Sequence, residues 1–177
     1  MEAPVANRLA EFLNNPYLSR VRRNHGLEHA TLTVLSRSYP GRGLTGHSDS
    51  AGFWIIGNVP PEAVHSAVQE ALARMKAGEV NLAVHPNCGT NFVTSGILAA
   101  LAAFVAFFGA GRRLRDRLER LPLAAALSVL ALIVANPLGM ALQREVTTSG
   151  IPGPLVVARI ETRQRGRWMA HRIITRG

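Results

Sequence analysis

Two stretches of the chain carry no charge and are apolar almost throughout: Phe92–Gly111 (FVTSGILAALAAFVAFFGAG) and Leu121–Gln143 (LPLAAALSVLALIVANPLGMALQ). A helix needs about 20 apolar residues to cross the hydrocarbon core of a bilayer, so the pair predicts a transmembrane helical hairpin over residues 92–143. So small a polar remainder could not wrap two helices that are apolar all round. The Asn136-Pro137 pair in the second run removes a backbone donor and predicts a kink there. Between the runs, Leu114, Leu118 and Leu121 recur at helical spacing among arginines, which suits a short connector at headgroup level.

Ahead of the hairpin the pattern turns polar and mixed. Asn15-Pro16 reads as an N-cap followed by a first-turn proline, opening a helix to about Ser36. YPGRGLTGHSDSAG reads as a glycine-rich loop, and GFWIIGNV as a buried strand stopped by Pro60-Pro61. Val64, Ala67, Val68, Ala71, Leu72 and Met75 make one apolar face of a helix over PEAVHSAVQEALARM, which Gly78 ends. VNLAVHP reads as a second short strand. Behind the hairpin, PLVVARIETRQRGRWMAHRIITR alternates and predicts a β-hairpin turning near Gln164–Gly166. The fold class is therefore α+β. A small α/β module (residues 1–91) is followed by the transmembrane hairpin (92–143) and a basic β-hairpin tail (144–177).

Charge changes this picture only at its edges. The chain has 177 residues and a formal net charge of +9, with Lys76 the single lysine among the basic residues. No nucleic-acid-reading motif accompanies the arginines: there is no zinc-finger spacing, no basic region with heptads and no aromatic strand pair. They read as membrane-flanking or solvated groups, and a nucleic-acid partner is not expected. The positive-inside rule draws Arg112–Arg120 to the cytoplasm. The seven arginines behind Gln143 draw the tail there instead, a conflict for two spans, and MEAPVANRLAEFLNNP has no apolar core of a signal peptide. The reading adopted is a multi-pass protein of the cell membrane with both termini cytoplasmic. Cys88, the single cysteine, excludes an intramolecular disulfide. No glycine-rich nucleotide loop and no haem-attachment signal is present.

The candidate chemistry centres on NHGLEHAT, Asn24–Thr31. His25 and His29 stand four residues apart, so on a helix they share a face and can hold one metal ion. Leu18, Val21 and Leu32 lie on that face too, which points both imidazoles inward, and Glu28 flanks them. Zinc takes neutral imidazoles at about 2 Å, and a base must reach the attacking water without itself becoming a ligand. A zinc site with three protein ligands needs another donor. Glu70 and His65 on the amphipathic helix are candidates, as are His85 and Cys88 in HPNCGTN, whose spacing of three suits chelation. Glu70 falls well off the apolar face of its helix. A Cys88 thiolate would bias the site toward structural metal. His47-Ser48-Asp49-Ser50 holds the residue types of a serine triad, but adjacent residues in a loop cannot adopt triad geometry, so the segment reads as a turn.

Two strings, NHGLEHAT and AVHPNCGTN before an apolar run, resemble a family of small bacterial membrane proteins of unknown function. In it an HGLEHAT-type helix, a GF-containing strand, an HPNCGTN turn and two membrane spans follow in this order. That resemblance covers most of the chain from Asn24 onward and implies no activity. His25 to His29 also resemble, over five residues, the H-x-x-E-H order of inverzincin metallopeptidases. That likeness implies His25 and His29 as zinc ligands and Glu28 as the group activating water. It also implies a glutamate on a later helix as third ligand, which favours Glu70. Inverzincins are much larger and have no such anchor. The function expected is a membrane-anchored Zn2+-dependent hydrolase, a metallopeptidase whose partners are the lipid bilayer and a peptide or protein substrate. The alternatives are a non-catalytic metal-binding membrane subunit or assembly factor, and a scaffold with packed, metal-free histidines.

Overall fold

The computed structural model describes residues 4–111, 113–166 and 168–177. It divides into two compact units, one of residues 1–85 with 144–177 and the other of residues 86–143.

The first unit is α+β. Helix α1 (Pro4–Leu13) precedes α2 (Pro16–Ser38), whose first turn is capped as its sequence predicts, with Asn15 Oδ1 accepting from the Tyr17 amide at 3.0 Å. Strands β1 (Thr45–Asp49) and β2 (Gly52–Gly57) follow, then α3 (Pro61–Lys76). After the second unit the chain returns as β3 (Val156–Arg165) and β4 (Trp168–Arg176). The sheet runs β1-β2-β4-β3, antiparallel throughout, with a register shift between Val157 and Arg159. The hairpin behind the apolar runs thus forms, and its last strand pairs with β2 in mid-sheet. Phe53, Ile55 and Ile173 from one face of β2 and β4 meet Leu27 and Leu35 of α2 and Val64 and Val68 of α3 in a common core. Each such side chain contributes about 1.5–3 kcal/mol over its exposed state.

Two expected elements differ. VNLAVHP is a 3₁₀ turn (Val80–Ala83) rather than a strand. Leu82 and Ala83 are buried there, and so short an apolar run fits a tight turn as readily as a strand. The glycine-rich loop is in part β1, because main-chain pairing with β2 rather than side-chain propensity holds that strand. His47, Ser48 and Asp49 are therefore strand residues, and the turn follows them, closed by Asp49 Oδ1 accepting from the Ala51 amide at 2.7 Å.

The second unit consists of α4 (Gly89–Phe107), the short α5 (Leu114–Leu118) and α6 (Leu121–Leu142), which continues past Pro137; a π-helical turn, Gln143–Thr147, follows it in the chain. Gly89–Phe107 and the stretch Leu114–Thr147 are long and apolar enough to cross a membrane. Their polar residues pair within the unit. Gln143 Nε2 donates to Asn91 Oδ1 at 2.8 Å, Asn91 Nδ2 to the Pro86 carbonyl at 2.7 Å, and Ser128 Oγ to the Ala99 carbonyl at 3.3 Å. A Cβ at Gly139 would lie 2.5 Å from Asn91 Oδ1, so glycine lets α6 approach that network.

Candidate metal centre

One and a half turns of α2 carry the site. Asn24, Glu28 and His29 are buried although all are polar, an arrangement that costs free energy unless every group is satisfied. Asn24 secures the helix against the sheet. Its Nδ2 donates to the Asp49 carbonyl at 2.8 Å and its Oδ1 accepts from Thr175 Oγ1 at 2.7 Å, joining α2 to β1 and β4. Gly26 admits the chain on the other side. A Cβ there would stand 2.1 Å from the Ser149 carbonyl oxygen, while the Ser149 amide donates to the Arg22 carbonyl at 3.0 Å. The residues just behind the second apolar helix are thereby laid along α2.

Two backbone carbonyls come within reach of the imidazoles as a result. His25 Nδ1 lies 2.9 Å from the Thr147 carbonyl oxygen, and His29 Nδ1 lies 2.8 Å from that of Ala83 in the 3₁₀ turn. A carbonyl only accepts, so each Nδ1 carries the proton and each ring presents its lone pair at Nε2. The rings stand edge to face with centroids 4.4 Å apart. His85, just beyond the 3₁₀ turn, brings a third imidazole within 6.0 Å of His29. Burial, and then the neighbouring His29, hold its pKa below the ordinary histidine value, favouring the neutral form that ligates.

Glu28 turns toward β1. Burial pushes its carboxyl up to about 7, against the opposing pull of His25 and a hydrogen bond with Ser48. A Cβ at Gly46 would lie 2.3 Å from Glu28 Oε1, so this glycine makes room for the carboxylate beside β1. Because the folded pKa is raised above 4.5, the charged form is penalised only in the folded chain. In the metal-stripped protein, stability should be fully present below about pH 4.5 and fall as pH rises through 7, by on the order of 3 kcal/mol. Thermal unfolding at pH 5 and pH 8 measures this, and Glu28→Gln should flatten the dependence.

The other sequence candidates are placed differently. Glu70 is exposed on α3 and paired with Arg74 at 3.0 Å, and His65 is exposed on the same helix; neither joins the group around His29. Cys88 stands in the second unit, three residues along the chain from His85. It is the N-cap of α4, where its Sγ accepts from the Thr90 amide at 3.4 Å. The neighbours Thr147, Ala83, Gly46 and Ser48 act mostly through backbone or through the lack of a side chain. His25 and His29 supply donors for a group that could hold a metal ion.

Residues 20–160 match the model of a family described as a domain of unknown function, DUF6391. The chain belongs to this family. A relative from Picosynechococcus sp. (strain ATCC 27264 / PCC 7002 / PR-6), named there an uncharacterized protein, is 35% identical over 151 residues, covering 80% of this chain and 71% of its own length. No solved structure matches the chain. The DUF6391 match contains His25, Glu28, His29, His85 and Cys88, and also both apolar helices.

Proposed function

We propose that this DUF6391 protein is a membrane-anchored zinc-dependent hydrolase acting on peptides or proteins. His25, His29 and His85 hold the metal, and Glu28 is the general base. The observation that carries the reading is the commitment of both α2 imidazoles, through Nδ1, to backbone carbonyls. Ligating histidines are characteristically held this way by an acceptor behind the ring, which sets the tautomer and the ring orientation. Two imidazoles packed only for stability would not need the same nitrogen fixed twice. Zinc would polarise a scissile carbonyl and bring the pKa of water near neutrality. Glu28, titrating at about 7, suits the acceptance of a proton from attacking water and its return to the leaving amine. The H-x-x-E-H order of inverzincins supports the same roles.

The membrane anchor is the hairpin. Phe92, Leu101, Phe104, Leu130, Ile133 and Val134 are all largely exposed, an apolar surface that lipid would cover. Residues before and after the hairpin share one sheet, so both flanks belong on one face of the bilayer. The cytoplasmic face fits a chain whose two flanks carry most of its arginines.

A second reading is favoured by Cys88, close along the chain to His85. A thiolate completing the coordination would make the site structural and the chain a non-catalytic metal-binding subunit. The first test is zinc content by mass spectrometry on detergent-purified protein, with casein hydrolysis before and after chelation. About one zinc per chain and chelator-sensitive hydrolysis are expected; an intact chain that retains no metal would sink both readings.

A further inference from the structure

The face of the sheet turned away from the core carries a second feature, apart from His25, His29 and His85. The register sets Trp54 opposite Arg172, and Ile56 opposite Ala170, on the face opposite Phe53 and Ile55. Leu44, Trp54, Ile56, Trp168 and Ala170 line a cavity there of about 770 Å³, within the range of small-molecule sites. Ile56 and Trp168 remain about two-fifths exposed, at 37% and 42%, so this apolar surface meets solvent instead of closing on itself.

Its polar lining among the described residues is Thr45, His47 and Arg163. Arg163 lines the cavity and makes no ion pair among the described residues, whereas Arg172 is engaged with Asp49 at 2.8 Å. Among the described residues no carboxylate lines the cavity. An apolar, indole-walled groove whose described lining offers a guanidinium beside Thr45 and His47, and no carboxylate, fits an apolar body carrying one anionic group. A peptide strand would ask for rows of backbone partners, and a flat bilayer surface would not require a concavity. We propose that this groove is a binding site for a single-chain anionic amphiphile, of the class of medium- and long-chain fatty acid carboxylates. The acyl chain lies between Trp54 and Trp168, and the carboxylate pairs with Arg163.

The chain has two tryptophans, and both line this groove, so intrinsic tryptophan emission reports on it alone. The full chain, in nanodiscs of zwitterionic lipid, is titrated with a terminally brominated decanoate. Bromodecanol serves as the uncharged control, and nanodiscs containing brominated anionic phospholipid as the bilayer control. Saturable quenching by the carboxylate is expected, about tenfold weaker for the alcohol and about tenfold weaker for Arg163→Gln. Arg163 is exposed and outside the core, so the fold should survive that change. A second variant, Ile56→Glu, should abolish saturation by placing charge in the groove. Quenching that rises without saturation, or that is equal for acid and alcohol, would overturn the proposal. So would quenching from the bilayer lipid with none specific to the added acid, which would make the face a membrane-contact surface.

Discussion

The His25→Ala/His29→Ala double variant is expected to bind no more than a trace of zinc, where the proposed site predicts about one ion per wild-type chain. Removing both imidazoles leaves too few donors for a zinc site. The ligand set can be separated by single changes. His85→Ala should lower zinc occupancy, while Glu70→Ala, on an exposed carboxylate occupied by Arg74, should leave it unchanged. Stability supplies a second readout. A ligand that binds only the folded chain stabilises it by RT ln(1 + [L]/Kd), about 4 kcal/mol at a thousandfold excess over Kd. Added zinc should therefore raise the melting temperature of the wild type and leave that of the double variant unmoved. His29 is buried, and its loss also leaves the Ala83 carbonyl without its donor, at about 1–3 kcal/mol. Chelator-treated wild type is thus the proper reference, since it lacks the metal but keeps both rings. A double variant that binds zinc as the wild type does would place the site elsewhere.

Glu28→Gln should split activity from metal content. Glutamine keeps the size and the polar contact with Ser48 but accepts no proton, so hydrolysis should fall by about 10² to 10⁴ with zinc stoichiometry intact. The fall should appear in kcat more than in KM if Glu28 acts only as the reaction proceeds. Unchanged hydrolysis would remove the base from the mechanism. Absence of hydrolysis in both proteins, with zinc fully retained, would favour the structural role and direct attention to Cys88.

The parts of this molecule that were legible beforehand are those written in side-chain pattern. Asn15-Pro16 marked the start of α2, the apolar face from Val64 to Met75 marked α3, and uncharged runs marked α4 and α6. Two β elements were harder for opposite reasons. Thr45–Asp49 contains Gly, His, Ser and Asp, residues of turns, and becomes a strand because β2 offers it a partner. Leu82 and Ala83 are apolar enough for a strand, yet they fold into a 3₁₀ turn. The site divides along the same line. The i, i+4 pair and its flanking glutamate stood out in NHGLEHAT, whereas the acceptors behind the rings are main-chain oxygens of residues 54 and 122 positions distant. Any residue has such an oxygen, so nothing in composition could have singled out Ala83 or Thr147. The open pocket on the sheet was hidden likewise, since Trp54 and Trp168 come to line one cavity only through the β2–β4 pairing.

That register also sets an order of events during synthesis. The strand that fills mid-sheet, β4, is made after both apolar helices. Until then β2 has an unsatisfied edge. The acceptor behind His29, Ala83, precedes both apolar helices and the one behind His25, Thr147, follows them, so a chain arrested between the two would hold one imidazole with its acceptor and one without.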